Sequence, residues 1–208
     1  PPLTREYISN VMKASERARE LITQILTFSR KTDVALKAVA PAYVIKDAIN
    51  LLKVSAPSGV KIKADLESRS VIMADPTQLH QIIMNLSTNS IYAMKDLPGG
   101  EISISLRDLL VTEKELRIYP ELSKGRHVLL TVSDTGSGID PDKLEHIFDP
   151  FFTTKPVGQG TGMGLAVVHS IIKNMKGIIT VESAPGAGAT FRIIIPAEDA
   201  AITDKARN

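Results

Sequence analysis

The sequence has no cysteine among its 208 residues, so disulfide frameworks and thiolate metal sites are excluded and a reducing compartment is permitted. Its formal net charge is only +2 and no basic run stands out, which removes the electrostatic argument for nucleic acid as a partner. No apolar run approaches the roughly 20 residues of a membrane span, and no signal peptide precedes the first patterned segment. A cytoplasmic setting is expected, with any membrane anchor of a longer protein lying in segments outside these residues. The chain begins Pro1-Pro2, without Met, and is expected to be part of something longer. No P-loop pattern occurs, and the run GTGMG lacks the strand-first setting of a dinucleotide fingerprint. What remains is an ordinary globular balance, 43% hydrophobic and 23% charged. At this length it suffices for one substantial core and a satellite element.

The chemistry concentrates between Asp134 and Val168. In HVLLTVSD the apolar residues Val128, Leu130 and Val132 alternate. Side chains two apart on a strand share a face, so Asp134 points with that apolar row. An acid aimed into a core costs several kcal/mol, roughly, unless a specific donor meets it. Gly136 and Gly138 make the turn that follows, and Asp140-Pro141 caps the predicted short helix DKLEHIF. Phe148, Phe151 and Phe152 can anchor the next loop, which otherwise has little to bury. GTGMG then stands at the mouth of the amphipathic helix LAVVHSIIKNM. Backbone N–H groups at a glycine-rich helix start form an anion site, most often for phosphate. An inward acid to read a base edge and a glycine cradle for phosphates suggest a nucleotide pocket.

Upstream, Asp75-Pro76-Thr77-Gln78 supplies an N-cap, a first-turn proline and an acceptor at the third helical position. The predicted helix runs to about Met94, with Leu79, Ile82, Ile83, Leu86, Ser90 and Ala93 on its apolar or small face. Gln78, Asn85, Asn89 and Tyr92 form a separate polar stripe. An amide oxygen suits magnesium where a nucleotide already supplies negative charge, because the ion wants hard oxygen ligands and bridges phosphates.

D-T-G-S-G-I, F-D-P-F-F-T-T-K and G-T-G-M-G-L, in that order, resemble the two glycine boxes and intervening F box of sensor histidine kinases. N-L-S-T-N resembles their asparagine box. These kinases share one ATP-binding fold with the gyrase-type and heat-shock-chaperone ATPases. The resemblance covers nearly the whole chain. It implies an α/β (α+β) two-layer sandwich, a mixed sheet packed on helices with a mobile lid, and ATP and magnesium as cofactors. By resemblance Asn89 is the metal ligand and Asn85 lies near the phosphates. The nucleotide site is further implied at Asp134, Gly136, Gly138, Ile139, Lys155, Gly160, Thr161, Gly162, Gly164 and Leu165, with Thr190 behind the nucleotide. Tyr92 is a departure, since relatives often carry a basic residue there. Phosphate neutralisation then falls more on Lys155. The ATPase relatives have a glutamate, as general base, where this chain has Asn85, and an amide takes no proton at neutral pH. That favours a kinase over an ATPase.

Residues 3–31 read as one helix. Ile8, Val11, Ser15, Ala18, Ile22, Ile25 and Ser29 alternate in spacings of three and four, a heptad seam that buries itself against another helix or another copy of the chain. LITQILTFSR resembles the second helix of a kinase dimerisation hairpin, which implies a homodimer through this helix. The first helix, with the phosphorylated histidine, would lie upstream of Pro1, because none of His80, His127, His146 and His169 falls here. Residues 1–33 are thus assigned to the dimerisation bundle, 34–197 to the ATP-binding domain and 198–208 to a tail. ALKAVA, VKIKADL, SVIMAD, EISISL, GIITVES and ATFRIIIP are the remaining strand candidates, and 109–124 reads as a surface excursion. The implied reaction is phosphorylation of that upstream histidine, then of an aspartate on a response-regulator receiver domain. An ATP-driven clamp and a non-catalytic nucleotide-binding scaffold are the alternatives.

Overall fold

The computed structural model describes residues 36–156 and 160–198, together with Tyr7, Ile8, Val11 and Met12. Those four are helical and exposed. The rest of the heptad seam, the boundary near residue 33 and the tail from 199 lie outside the described residues. In chain order the elements are β1 (Lys37–Val39), α1 (Pro41–Ser55), β2 (Val60–Leu66), β3 (Ile72–Ala74), α2 (Pro76–Ala93), β4 (Gly100–Val111), α3 (Glu113–Ile118), β5 (Gly125–Asp134), α4 (Pro141–Leu144), α5 (Gly164–Asn174), β6 (Ile178–Ser183) and β7 (Ala189–Pro196).

The helices start where the sequence offers a start. Pro41 and Pro76 occupy first-turn positions, where a missing N–H costs nothing. Asp75 caps α2 by accepting from the Thr77 amide at 2.8 Å. Gln78 does not complete a capping box; its Oε1 is buried without a hydrogen-bond partner among the described residues. Asp140 likewise makes no cap, because its carboxylate takes the Lys143 ammonium. The helix it precedes is only α4, four residues long.

Five strands form a mixed sheet in the order β2-β4-β5-β7-β6, parallel between β2 and β4 and antiparallel elsewhere. β1 and β3 pair separately. Register aligns Ile104 with Val132 and Phe191, and Leu106 with Leu130 and Ile193, across β4, β5 and β7. This apolar face meets the buried sides of α1 (Ile45, Ala48, Ile49, Leu52), α2 (Leu79, Ile82, Ile83, Leu86) and α5 (Val167, Val168, Ile171, Ile172) in one core. Each Ile, Leu and Val among them contributes about 1.5–3 kcal/mol by leaving water. The same register continues one row further and puts Asp134 between Ile102 and Ala189. The acid therefore stands at the open end of the core.

The segment 109–124 is more than a surface excursion. β4 runs on to Val111, and Thr112 with Glu115 forms a capping box that starts α3. Val111 and Leu122 then pack with Ile178 and Ile194 in a second, smaller cluster. A six-residue helix is too short to leave a period, which is why apolar patterning does not announce it. Thr112→Ala should cost α3 about 1 kcal/mol. Hydrogen exchange should accelerate at residues 113–118 and stay unchanged in β5.

Candidate functional site

Asp134, 7% exposed, is met by donors from three elements. Ser90 Oγ of α2 donates to Oδ2 at 2.8 Å. The Gly136 amide donates to Oδ1 at 2.9 Å and the Ala189 amide, at the start of β7, at 3.3 Å. Charge-assisted bonds of this kind offset the burial of the acid. A carboxylate oxygen has two acceptor directions; Ser90 takes one at Oδ2, and Asp134 lines a cavity of about 870 Å³.

Glycine is required where the turn after Asp134 meets the β6–β7 hairpin. Gly188 has φ +74, and a Cβ there would lie 1.9 Å from the Asp134 carbonyl oxygen. Gly138 has φ +72, with the Ala184 carbonyl oxygen 2.0 Å from its would-be Cβ. Gly138 and Ile139 line the cavity; Gly136 does not. A Cβ on Gly136 would sit 2.7 Å from that of Ala93, so its role is to let the turn lie on α2 while its amide holds Asp134. The Ile139 amide is fixed by Ser183 Oγ at 2.9 Å.

On α2, Asn85, Asn89 and Tyr92 line the cavity, whereas Gln78 of the predicted stripe does not. Asn85 Nδ2 donates to the Gly164 carbonyl at 3.1 Å, tying α2 to the start of α5. Asn89 Oδ1 accepts from Lys155 Nζ at 2.9 Å. That ammonium also sits 4.4 Å from the centroid of the Tyr92 ring, and burial holds its pKa below the usual lysine value.

The loop carrying Lys155 is closed at its base by backbone. Phe151 has φ 68, and its amide donates to the Gly162 carbonyl at 3.0 Å. A Cβ on Gly162, itself at φ +66, would lie 2.3 Å from the Phe151 carbonyl carbon. Phe148 and Phe152 pack on the core as anchors, but the Phe151 ring is 63% exposed; it anchors through its main chain and not through burial. Gly160, Thr161, Gly162, Gly164 and Leu165 all line the cavity. They bring the electropositive start of α5, which has no side-chain cap, against the space where an anion would lie.

Thr190 departs from expectation. Its Oγ1 pairs with Ser133 Oγ at 2.8 Å, and the cavity is lined instead by its neighbours Ala189 and Phe191. Alternation along β7 puts Thr190 on the opposite sheet face. None of the four histidines lines the cavity. His146 is bonded to Asp149, and His169 stacks on Phe148 with centroids 5.4 Å apart. Among the described residues no group of three or more His, Cys, Asp or Glu side chains could hold a metal ion. A single amide oxygen already facing a cation, Asn89 Oδ1, fits magnesium only if phosphates and water supply the other ligands.

Residues 74–199 match the family model described as histidine kinase-, DNA gyrase B-, and HSP90-like ATPase. The sensor kinase CckA of Brucella abortus (strain 2308) is 37% identical over 191 residues, covering 91% of this chain and 20% of that protein. The sensor histidine kinase ZraS of Salmonella typhi is 34% identical over 196 residues, covering 93% of this chain and 38% of the relative. The chain thus spans between a fifth and two-fifths of the length of these curated relatives. Among solved structures, full-length ShkA in complex with AMPPNP superposes with a TM-score of 0.73 at 25% identity, over 94% of this chain and 39% of that one. The histidine kinase ThkA in complex with the response regulator protein TrrA shares the fold, with a TM-score of 0.69 at 22% identity over 92% of this chain and 51% of that one.

Two stability outcomes follow from the geometry. Ser90→Ala leaves Asp134 Oδ2 without its buried donor and should cost about 1–3 kcal/mol in denaturant unfolding. Burial, then Lys173, pushes the His169 pKa below 6.5. As pH falls through 6.5 the unfolded chain takes a proton that the folded one resists, so stability drops on acidification. His169→Gln should flatten that slope between pH 7 and 5 in thermal melts.

Proposed function

The chain belongs to the histidine kinase-, DNA gyrase B-, and HSP90-like ATPase family, and from that premise we propose that it is the ATP-binding, phosphoryl-donating region of a cytoplasmic sensor histidine kinase. Its γ-phosphate acceptor is a histidine on a helix outside these residues, and the phosphoryl group then passes to an aspartate of a response-regulator partner. Residues 1–33 are the dimerising helix in this reading. Support comes from the order of the motifs, from relatives named as sensor kinases and from the cavity itself. No helix among the described residues is long and apolar enough to cross a membrane.

One observation carries the choice of kinase over ATPase. Asn85 occupies the place of a general base, and its amide nitrogen is committed to the Gly164 carbonyl. It accepts no proton from water, so the site presents a phosphate without activating a hydrolytic nucleophile. The rest is positioning. Asp134 accepts the adenine amino group through Oδ2, beside Ser90. Ile139 and Phe191 give the base apolar walls. Gly160, Gly162 and the start of α5 bind the phosphates through backbone dipoles, and Lys155 adds a full charge. Asn89 Oδ1 would hold magnesium, which when bound would neutralise phosphate charge.

Asp134→Asn should weaken ATP binding by about tenfold to a hundredfold, the worth of a hydrogen bond to a charged group, roughly 1.5–3 kcal/mol. GTP, with a carbonyl where adenine has its amino group, should bind poorly to the parent and show little further loss. Titration calorimetry reads both. Unchanged ATP affinity in the variant would remove the assignment of Asp134. Appreciable steady phosphate release by the parent chain would favour a clamp ATPase over a kinase.

A further inference from the structure

Tyr92 lines the cavity, and two lysine ammonium groups, those of Lys95 and Lys155, each lie 4.4 Å from its ring centroid. Asn89 and Tyr92 are three apart on α2 and so share its cavity side. Lys155 is on the loop expected from the resemblance to be the lid, and its ammonium lies between them, bonded to Asn89 Oδ1 at 2.9 Å and 4.4 Å from the Tyr92 ring centroid. A second lysine uses the same ring. Lys95 Nζ, just past the C-terminus of α2, donates to the Tyr92 hydroxyl at 3.1 Å and also lies 4.4 Å from the centroid. The hydrogen bond to the Tyr92 hydroxyl, with Asp96 nearby, pushes the Lys95 pKa above the usual lysine value. A cation at position 92 would repel both ammonium groups, whereas an aromatic ring attracts them.

Lys95, Lys143 and Lys155 all line the cavity, but they are not equivalent. Lys143 is paired with the Asp140 carboxylate. Lys155 is held by a neutral amide and a neutral ring. Lys95 is held by a neutral phenol, with Asp96 at a long 3.9 Å. The charges of Lys95 and Lys155 are therefore presented to the cavity far less compensated than that of Lys143.

Resting on the nucleotide-binding reading above, we infer that Tyr92 is a positioning residue for two phosphate-binding cations. It gathers Lys155 from its loop and Lys95 from the end of α2 at the polyphosphate end of the cavity. Lys95 is thereby assigned as a second phosphate contact. Tyr92 acts through the lysines, on the phosphates and not on the base.

The test is titration of the full chain, with and without magnesium, by ATP and by adenosine. Tyr92→Leu should lower ATP affinity about tenfold, within the range of desolvated cation–π contacts, and leave adenosine affinity within about twofold. Tyr92→Phe keeps the ring, so it should keep the Lys155 share and lose only what the hydroxyl gives Lys95. Adding Tyr92→Leu to a Lys95→Ala/Lys155→Ala background should cost nothing more, because the ring then has no cation to place. Equal loss of ATP and adenosine in Tyr92→Leu, or a full tenfold loss persisting in the lysine-free background, would overturn the inference. So would unchanged ATP affinity in Tyr92→Leu, in which case the nucleotide site itself would stand. Failure of the parent chain to bind either ligand would overturn both together.

Discussion

A carboxylate closed into the end of a hydrophobic core constrains everything around it. Asp134 is tolerable there only because Ser90, Gly136 and Ala189 each deliver a donor, and those three belong to a helix, a turn and the far strand of a hairpin. Removing any one leaves a buried charge short of a partner, a larger penalty than the worth of the bond itself. The geometry therefore locks α2, β5 and β7 into one arrangement. It also forces glycine at 188, where the Asp134 carbonyl leaves no room for a Cβ. The same acid that fixes the fold faces the cavity, so in the proposed reading structural and recognition demands fall on a single side chain.

The opposite end of the cavity is built from different physics. Around Asp134 the groups are buried and committed to one another. Around Asn89, Tyr92 and Lys155 the contacts are between side chains, a cation over a ring and a lysine on an amide. Among the described residues, the backbone there is closed by Phe151 against Gly162 and tied to α2 through the Asn85 bond to the Gly164 carbonyl. In the proposed reading, the committed groups around Asp134 fix the purine and the lysine-bearing end meets the phosphates.

Much of this was legible in the residues. Alternation in HVLLTVSD placed Asp134 on the core side, and spacings of four and three put Asn85, Asn89 and Tyr92 on one side of a helix. The glycine run at a helix start was expected to form an anion site, and Gly160, Gly162 and Gly164 line the cavity. What was not legible depends on distant partners. Gly136 reads as room for a ligand, but the room is taken by Ala93 and the amide is taken by Asp134. Thr190 lies in the right strand, yet only register with β5 shows that it turns away, toward Ser133. Phe151 reads as a hydrophobic anchor, while its main chain does the anchoring. In 109–124 the capping box Thr112-x-x-Glu115 was the available signal, and the small cluster behind it needed Ile178 and Ile194, far along the chain. Gln78 carried the matching cap signal and did not use it. Local rules of this kind state what a residue can do, and long-range packing decides whether it does.

The central claim is that this cavity donates a phosphoryl group to an outside imidazole instead of to water. Incubation of the chain with γ-labelled ATP and magnesium, alone and with a separate histidine-bearing helical bundle, tests it most directly. The account predicts ATP binding without self-labelling by the chain alone, and label on the added bundle that is acid-labile and alkali-stable, as phosphohistidine is. Robust labelling of the chain itself, on one of His80, His127, His146 or His169 or on a hydroxyl, would contradict it.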